Sequence, residues 1–367
     1  MQVIYIDQPN SGQRLTRYLE RYLPFAPKGF LYKMLRKKNI VLNGHKASGN
    51  EILSRGDEIT LWLSDETIQG FMGDGGARKN GLAGTAETGK DNSVTVSHDL
   101  HEEYPVTNSH DLYETYPVTD LKILYEDAHV ILINKPAGML SQRAAGEEPS
   151  LCEYLIGYLL RSGAITPENL KTMKPSVCNR LDRNTSGIVC CGKSIAGLQA
   201  LSALLRDRSV HKYYQALVMG RIDQEMKLEG LIQKDGAANV SRTILEKSSD
   251  GATISHDAKY ACTFIRPLRH MKTQGREMTL VEAELITGRS HQIRSALSAA
   301  GHAIVGDVKY ASKEEKTFFL QQLHVRSQLL HCARMVFPKL EEPLAGLSER
   351  TVVAPLPKKV DIGRAGV

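Results

Sequence analysis

The chain has 367 residues, of which 41% are hydrophobic, and carries a formal net charge of +6 at pH 7. This length allows two or three domains, and the composition is ordinary for a globular protein. No apolar run approaches the roughly 18 to 20 residues of a membrane span, and the first residues lack the layout of a signal peptide. We therefore expect a cytoplasmic protein with no membrane partner.

Charge is distributed unevenly along the chain. Residues 65–120 contain eleven acidic and three basic residues, a formal charge of −8, so that the remainder carries +14. A basic remainder of this size indicates a polyanionic partner, although charge alone does not separate nucleic acid from an acidic membrane surface.

Cysteine spacing gives no sign of a metal site. The six cysteines lie at positions 152, 178, 190, 191, 262 and 332. They form no Cys-x-x-Cys pair and show no ligand-like histidine spacing, so neither a zinc site nor a disulfide framework is expected.

The first 64 residues predict two helices and a small sheet. A strand at residues 3–6 precedes a helix with an apolar stripe from Leu15 to Leu23, for which Ser11 is the candidate cap. A second, basic helix spans about residues 29–38. Asn43-Gly44 is a strong signal for a two-residue hairpin turn, and a further strand follows at residues 59–63.

This order resembles the S4 RNA-binding domain over about residues 12–63. The resemblance implies that basic residues of the two helices contact RNA phosphates. Each of these residues taken singly would more simply belong to the solvated face of a helix. The candidate contacts are Arg14, Lys33, Arg36, Lys37 and Lys38.

Hydrophobic periodicity is lost after Ser64, and we predict an acidic, Gly-rich flexible linker at residues 65–120. The segment contains a near repeat, with Ser-His-Asp-Leu-His-Glu-Glu-Tyr-Pro-Val-Thr at residues 97–107 and a similar copy at residues 109–119. Two short copies are too few for a solenoid.

The third region opens with two predicted strands around a turn, ending at Lys135-Pro136. Ser150 and Glu153 have the spacing of a capping box and predict the start of a helix. These elements are interpreted as scaffold for the loop that follows.

A polar loop at residues 179–187 leads straight into the apolar strand at residues 188–191. The loop reads Asn-Arg-Leu-Asp-Arg-Asn-Thr-Ser-Gly, with Asp182 between two arginines. Neighbouring positive charge favours the ionised form of a carboxyl group, and a fixed carboxylate can act as a nucleophile or a base. Taken alone, Arg-Leu-Asp-Arg would indicate a solvated surface turn.

Two later segments carry further candidates. A strand predicted at residues 212–218 places Tyr214 on one face with Ala216 and Val218, where a tyrosine is ordinarily a core aromatic. The run Thr-Gly-Arg-Ser-His-Gln-Ile-Arg at residues 287–294 leads into a short helix. His291 and Arg294 lie three residues apart and therefore on one face of it.

The loop, the strand and the helix resemble, in this order, three motifs of the RluA-type pseudouridine synthases, and the segment at Lys135-Pro136 resembles the opening motif of that family. The resemblance implies that Asp182 is the catalytic carboxylate, that Tyr214 is the active-site tyrosine, and that Arg294 is the ion-pair partner of Asp182. It covers residues 12–63 and about 121–357.

Two positions depart from the commonest form of the family motif. Asn179 stands where His is usual and Asn184 where Asp is usual, and neither change removes the catalytic group. The resemblance also implies RNA contacts in this region, at Arg180, Arg183, Arg289, His291, Gln292 and Lys135.

The implied fold class is α+β. A pseudouridine synthase catalytic domain with a mixed, largely antiparallel sheet would occupy residues 121–357, after a small α/β S4 RNA-binding domain at residues 1–64. Residues 65–120 would be the linker and residues 358–367 a C-terminal tail.

The implied reaction is the isomerisation of specific uridines to pseudouridine, with 23S ribosomal RNA or a ribosomal assembly intermediate as the substrate. A uridine in structured RNA must leave its stack first, which costs a few kcal/mol, and Arg180 would fill the vacated space. No electron sink or metal is required, so we expect no cofactor and no metal site, in a monomeric enzyme.

Three other interpretations stay open. The substrate could be transfer RNA, or the chain could be a non-catalytic RNA-binding factor for ribosome assembly that uses a retired synthase domain. The presence of Asp182, Tyr214 and Arg294 favours the enzyme. A metal-dependent nuclease is weaker, because it needs clustered carboxylates and only Asp182 is well placed.

Overall fold

The computed structural model describes residues 1–73, 115–143, 148–235, 240–245, 258–358 and 360. Residues 1–73, here the N-terminal domain, fold around their own apolar core and a four-stranded antiparallel sheet of order β1-β4-β2-β3. Its elements are β1 (Gln2–Tyr5), α1 (Leu15–Tyr22), α2 (Lys28–Arg36), β2 (Ile40–Leu42), β3 (His45–Lys46), β4 (Glu58–Leu61) and α3 (Asp65–Met72).

Local sequence signals account for much of this domain. Asn43 and Gly44 have φ values of 51° and 73° and form the β2–β3 turn, as their dipeptide predicts. Ser11 does not cap α1, because its hydroxyl donates to the carbonyl oxygen of Gln8 instead.

The predicted start of the linker at residue 65 is wrong for its first eight residues, which form α3. Ser64 accepts a hydrogen bond from the backbone N–H of Thr67 and so caps the helix. Ile68 is buried, and the ring of Phe71 packs on Phe30 at 4.9 Å between centroids. The helix is too short for its apolar face to give a periodic pattern. Residues 74–114, which hold most of the predicted linker and repeat, lie outside the described residues.

The larger C-terminal domain, residues 115–360, is built on one sheet of strand order β11-β10-β12-β13-β9-β14-β8-β6-β5, with β7 beside β8 and β15 beside β14. Its elements are β5 (Ile123–Glu126), β6 (Val130–Lys135), α4 (Leu151–Arg161), α5 (Asn169–Thr172), β7 (Ser176–Val177), β8 (Ser186–Gly192), α6 (Ile195–Arg206), β9 (His211–Met219), β10 (Met226–Asp235), β11 (Val240–Leu245), β12 (Lys259–Thr273), β13 (Arg276–Leu285), α7 (Gln292–Ala299), α8 (Lys313–Gln321), β14 (Leu330–Val336) and β15 (Thr351–Val353).

Among the described strands of this sheet, β14 and β8 pair in parallel and the other pairs are antiparallel. The mixed, largely antiparallel sheet and the α+β class are therefore confirmed. None of the helices in the described ranges has the length and apolar character of a membrane span.

Strand alternation divides the apolar residues of the C-terminal domain between two cores. On β9, Tyr214, Ala216 and Val218 face a core shared with α4, α6 and α7, whereas Leu217 and Met219 face a second core closed by α8. The predicted capping box at Ser150 is confirmed and begins α4. Val360, in the predicted tail, is buried in the second core.

The N-terminal domain contacts the C-terminal domain directly through polar groups. Asp7 accepts a hydrogen bond from the side chain of Asn169, and Arg21 donates to the carbonyl oxygen of Thr172 at 2.9 Å. The backbone N–H of Ile195, at the start of α6, donates to the carbonyl oxygen of Pro9 at 3.0 Å. These contacts place the N-terminal domain against α5 and the start of α6.

Candidate active site

The loop at residues 179–185, here the Asp182 loop, leads into β8. Its backbone is hydrogen-bonded to the segment that follows β6. The hydroxyl of Ser141 donates to the carbonyl oxygen of Leu181 at 2.8 Å and accepts from the N–H of Leu181 at 3.0 Å. The N–H of Gly138 donates to the carbonyl oxygen of Arg183 at 2.8 Å. Backbone atoms on both sides of Asp182 are therefore fixed.

The two ends of the loop are joined to neighbouring strands. The side chain of Asn179 accepts from the N–H of Cys190 at 2.7 Å and donates to the carbonyl oxygen of Ile188 at 3.4 Å. Gly187 has φ +112°, and a Cβ there would lie 2.2 Å from the carbonyl oxygen of Cys332 on β14. The side chain of Asn179 thus ties the start of the loop to the backbone of β8, and glycine at position 187 allows β8 and β14 to approach each other.

Asp182, Arg294 and Asp307 form a chain of ion pairs that runs from the surface into the core. Nη1 of Arg294 lies 2.7 Å from Oδ2 of Asp182. Nε and Nη2 of Arg294 donate to the two carboxylate oxygens of Asp307 at 2.7 and 2.9 Å. The exposed fraction of the side chain falls from 30% at Asp182 to 5% at Arg294 and 0% at Asp307.

The charge of Arg294 is secured by its two partners. Burial alone would lower the pKa of Arg294, but the hydrogen bonds and charges of Asp307 and Asp182 outweigh it, and the net pKa is raised. The structure thus brings together the pair that the family motif implies. Asp307 was not singled out from the sequence.

His291 lies beside the pair but outside the helix on which it was predicted. It is the residue before α7 and has left-handed backbone angles, φ 53° and ψ 21°. Its Nε2 lies 3.8 Å from Oδ2 of Asp182, so the two predicted neighbours, His291 and Arg294, approach the same carboxylate oxygen. That His291 contacts RNA stays a prediction.

Tyr214 is buried on β9, where it pairs with Cys332 of β14. Burial raises the pKa of Tyr214 well above its ordinary value, and the neighbouring Cys332 and Asp182 raise it further. The side chain is therefore a neutral phenol that can stack or donate a hydrogen bond, and a role as proton acceptor is disfavoured.

Two of the predicted RNA contacts are wrong because their side chains are buried and already bonded. Lys135 is 0% exposed, and its ammonium donates to the carbonyl oxygens of Pro136, Met139 and Arg183 at 3.1, 2.7 and 3.1 Å. Burial lowers the pKa of Lys135 to about 7, against the opposing charge of Asp182. Lys135 therefore links the segment after β6 to the Asp182 loop by hydrogen bonds.

The second is Gln292, which is 3% exposed. Its amide donates to the carbonyl oxygen of Cys262 and the hydroxyl of Thr263, and accepts from the hydroxyl of Thr287 and the N–H of Arg289. Gln292 therefore ties the start of α7 to β12.

The arginines around the site differ in solvent exposure and in the hydrogen bonds that they already make. Arg180 is exposed. Arg183 is also exposed, but it donates to the carbonyl oxygen of Gly138 and to Glu148 at 3.1 Å. Arg289 is partly exposed and donates to the carbonyl oxygen of Tyr260 at 3.2 Å. Of the three, Arg180 is the one most open to a ligand above Asp182.

The five candidate contacts of the N-terminal domain are all exposed. Tyr32, which precedes Lys33 on α2 and was not predicted as a contact, is half exposed. An open depression of about 440 Å³ lies on this surface, lined in part by Tyr32, Lys33, Arg36 and Lys46. An exposed aromatic ring among cations is a surface suited to a phosphate backbone with unstacked bases.

In the part of the chain that the structure describes, no three histidine, cysteine or acidic side chains are grouped as metal ligands. Burial raises the pKa of the thiols of Cys152, Cys178, Cys190, Cys191 and Cys332. These cysteines pack as small apolar residues.

Comparison with known proteins identifies relatives for most of the chain. Residues 129–299 match the family described as RNA pseudouridylate synthase. The chain is 27% identical over 358 residues to ribosomal large subunit pseudouridine synthase C of Vibrio vulnificus, a match that covers 94% of this chain and 91% of that one. It is 30% identical over 217 residues to ribosomal large subunit pseudouridine synthase D of Zymomonas mobilis, covering 58% and 62%.

Among solved structures, a human protein, RNA pseudouridylate synthase domain containing 4, matches 65% of this chain and 89% of its own. The identity is 22% and the TM-score is 0.49.

Proposed function

We propose that this chain, an RNA pseudouridine synthase with an RluA-type catalytic domain, isomerises uridines of large-subunit ribosomal RNA with Asp182 as the catalytic carboxylate. The observation that carries the assignment is the position of Asp182. It is the accessible end of a chain of ion pairs whose other members, Arg294 and Asp307, are buried.

The contacts of Asp182 indicate which oxygen reacts. Within the described residues, Arg294 and His291 both approach Oδ2. Oδ1 is then the oxygen left for the substrate. From there the carboxylate either attacks ribose C1′ or removes a proton from C2′.

The isomerisation needs no external reactant. The N1–C1′ bond of the uridine breaks, the detached uracil turns in the pocket, and its C5 bonds to C1′. In the first route the bond between Asp182 and C1′ breaks as C5 bonds to C1′, and in the second route the carboxyl group returns its proton to C2′. The proton leaves C5 and N1 gains one, so atoms and electrons balance. We propose that Tyr214 stacks on the turning base as a neutral phenol.

A uridine within a helix must be extruded before Asp182 can reach its ribose. Arg180 lies two residues before Asp182 and is exposed, which supports a role in occupying the space that the flipped base leaves. The cost of unstacking, a few kcal/mol, would then be offset in part by contacts of the guanidinium with neighbouring bases.

Large-subunit ribosomal RNA is favoured as the substrate by two kinds of support. The relatives from Vibrio vulnificus and Zymomonas mobilis are described as ribosomal large subunit pseudouridine synthases. The N-terminal domain, which we propose to be an S4-type RNA-binding module, adds a basic surface to a domain that already carries the chemistry. An enzyme of this kind would work in the cytoplasm, and we propose that it acts as a monomer.

The test is pseudouridine mapping of RNA from a strain that lacks the gene. We expect at least one pseudouridine of large-subunit rRNA to revert to uridine, to be restored by the wild-type gene, and to stay absent with Asp182→Asn. Loss of a pseudouridine from transfer RNA alone would assign the alternative substrate. Full restoration by Asp182→Asn would overturn the catalytic assignment.

A further inference from the structure

We propose that Tyr310 is a positioning residue for the active site, whose hydroxyl selects the tautomer of His291 that carries hydrogen on Nε2, the ring nitrogen facing Asp182. This inference rests on the proposed function of Asp182. It concerns a residue to which the sequence motifs assigned no role.

The geometry links three elements to the carboxylate. The hydroxyl of Tyr310 lies 2.8 Å from Nδ1 of His291, and the two rings meet edge to face at 5.7 Å between centroids. On the opposite side of the same ring, Nε2 lies 3.8 Å from Oδ2 of Asp182. The imidazole therefore stands between the phenol and the carboxylate.

The tautomer follows from counting protons. The backbone N–H of Ser241 donates to the hydroxyl oxygen of Tyr310 at 2.8 Å, and an amide N–H can only donate. The side chain of Ser241 also lies near the phenol oxygen, but its hydroxyl hydrogen is donated to the carbonyl oxygen of Ser290. We assign the hydroxyl hydrogen of Tyr310 to Nδ1 of His291, which lies 2.8 Å from the phenol oxygen. A neutral imidazole that accepts at Nδ1 carries its hydrogen on Nε2.

The surroundings of His291 favour the neutral ring. Burial lowers the pKa of His291, and Arg294 and Lys309 lower it further, while Asp182 and Asp307 oppose them. A neutral ring has two tautomers, and the hydroxyl of Tyr310 removes one of them. In the rejected tautomer, a lone pair on Nε2 would face the negative charge of Asp182.

The arrangement is braced at both ends. The hydroxyl of Ser241 donates to the carbonyl oxygen of Ser290, next to His291, at 2.9 Å. The hydroxyl of Ser298 donates to the carbonyl oxygen of Tyr310 at 2.7 Å. The guanidinium of Arg294 lies 5.1 Å from the centre of the Tyr310 ring. Tyr310 thus contacts both neighbours of Asp182, Arg294 through its ring and His291 through its ring and its hydroxyl.

The distance of 3.8 Å between Nε2 of His291 and Oδ2 of Asp182 is longer than a hydrogen bond. In the free protein the Nε2–H group therefore points to the carboxylate without bonding to it. A shift of about 1 Å in either side chain would form the bond. We infer that the bond forms when RNA is bound, and that it keeps Oδ2 engaged while Oδ1 meets the ribose.

Tyr310→Phe keeps the ring and its contacts with Arg294 and His291 but removes the hydroxyl. We expect its single-turnover rate constant to fall by about tenfold to a hundredfold, the loss expected for one hydrogen bond to a charged group, with RNA affinity unchanged. Tyr158→Phe, which loses a hydroxyl bonded to Glu126 on the surface, is the control and should keep full activity.

The second variant is His291→Gln, whose amide nitrogen can donate from about the position of Nε2 without help from a hydroxyl. In that background, adding Tyr310→Phe should change the rate by less than about twofold. A full additive loss in the double variant would mean that the hydroxyl of Tyr310 acts independently of His291, and the proposal would be overturned.

A direct reading of the tautomer separates this proposal from the proposed function. Nitrogen-15 NMR of the wild-type protein should show Nδ1 of His291 unprotonated and Nε2 protonated, whatever the activity. Tyr310→Phe should give a mixture of the two forms. Hydrogen on Nδ1 in the wild type would refute the proposal, even if Asp182 proved to be catalytic.

Discussion

Arg294 bridges two carboxylates, and only one of them, Asp182, reaches solvent. The sequence predicted the pair with Asp182 because both residues fall in segments that resemble motifs of the RluA-type family. It gave no reason to select Asp307, since a short Gly-Asp segment after a helix has many uses. The role of Asp307 depends on the folding of the chain after α7, which returns this residue to the buried side of the guanidinium.

Asp307→Asn should destabilise the protein, because it removes a charge that faces a buried guanidinium while keeping the shape of the side chain. Breaking a buried pair typically costs about 3–5 kcal/mol of unfolding free energy. Urea unfolding measures the loss, and Asp207→Asn, at an exposed residue, is the control. Equal stability of the two variants would contradict the account of Arg294.

Lys135 leads to a prediction about pH. Its pKa is lowered by burial from 10.5 to about 7 in the folded chain, whereas an unfolded lysine keeps a pKa near 10.4. Between these values the unfolded state binds more protons, so stability rises with pH. Relative to Lys135→Met, which does not titrate, the wild type should gain unfolding free energy between about pH 7 and 10. If the unfolding free energies of the wild type and Lys135→Met changed with pH in parallel, the three carbonyl acceptors would be keeping the lysine charged.

At the scale of elements, features set by neighbouring residues were predicted correctly from the sequence, whereas pairing between distant strands was not predicted. The hairpin at Asn43-Gly44 and the capping box at Ser150 are set by neighbouring residues, and both are present. The parallel contact of β8 with β14 joins Ser186 to His331, and no local pattern encodes such a pairing. The burial of Lys135 and Gln292 was missed for the same reason, because their acceptors lie in other segments of the fold.

The close approach of β8 and β14 can be tested at Gly187. Gly187→Ala combines a left-handed φ of +112° with a Cβ placed 2.2 Å from a carbonyl oxygen. Gly138→Ala is the matched control, since its φ is +93° but the space around it is open. The control should cost about 1–2 kcal/mol for the backbone conformation alone, and Gly187→Ala should cost clearly more. Equal losses in thermal unfolding would refute the packing argument.

At the scale of the whole molecule, the order of the two domains was predicted from the motifs, but their contact was not. Polar side chains such as Asp7 and Arg21 reach the C-terminal domain, and such contacts leave no periodic signature in a sequence. The end of the second repeat is also part of the fold, because Tyr116 is buried and Gly157 makes room for the carbonyl oxygens of residues 116 and 117. Of the predicted linker, the first residues therefore pack on the N-terminal domain as α3, and the last residues pack on the C-terminal domain.

The proposed RNA surface of the N-terminal domain predicts a change in salt dependence. Replacing Lys33 and Arg36 by Ala should weaken RNA binding and make the slope of log K against log salt shallower by about 1–2, because fewer counterions are released. Lys313 and Lys316 have the same spacing on α8 and provide the control pair. An unchanged slope in the first variant, or an equal change in the control, would remove the case for a specific RNA surface there.

The most direct test of the central claim is a single-turnover assay of purified protein with large-subunit rRNA, in which pseudouridine is measured by chromatography of the digested nucleosides. Asp182→Asn keeps the volume of the side chain and removes the charge that the reaction needs. We predict that it binds RNA within about twofold of the wild type and forms no pseudouridine, while Asp207→Asn reacts normally. Pseudouridine formed by Asp182→Asn at a rate near that of the wild type would contradict the assignment of Asp182 as the catalytic carboxylate.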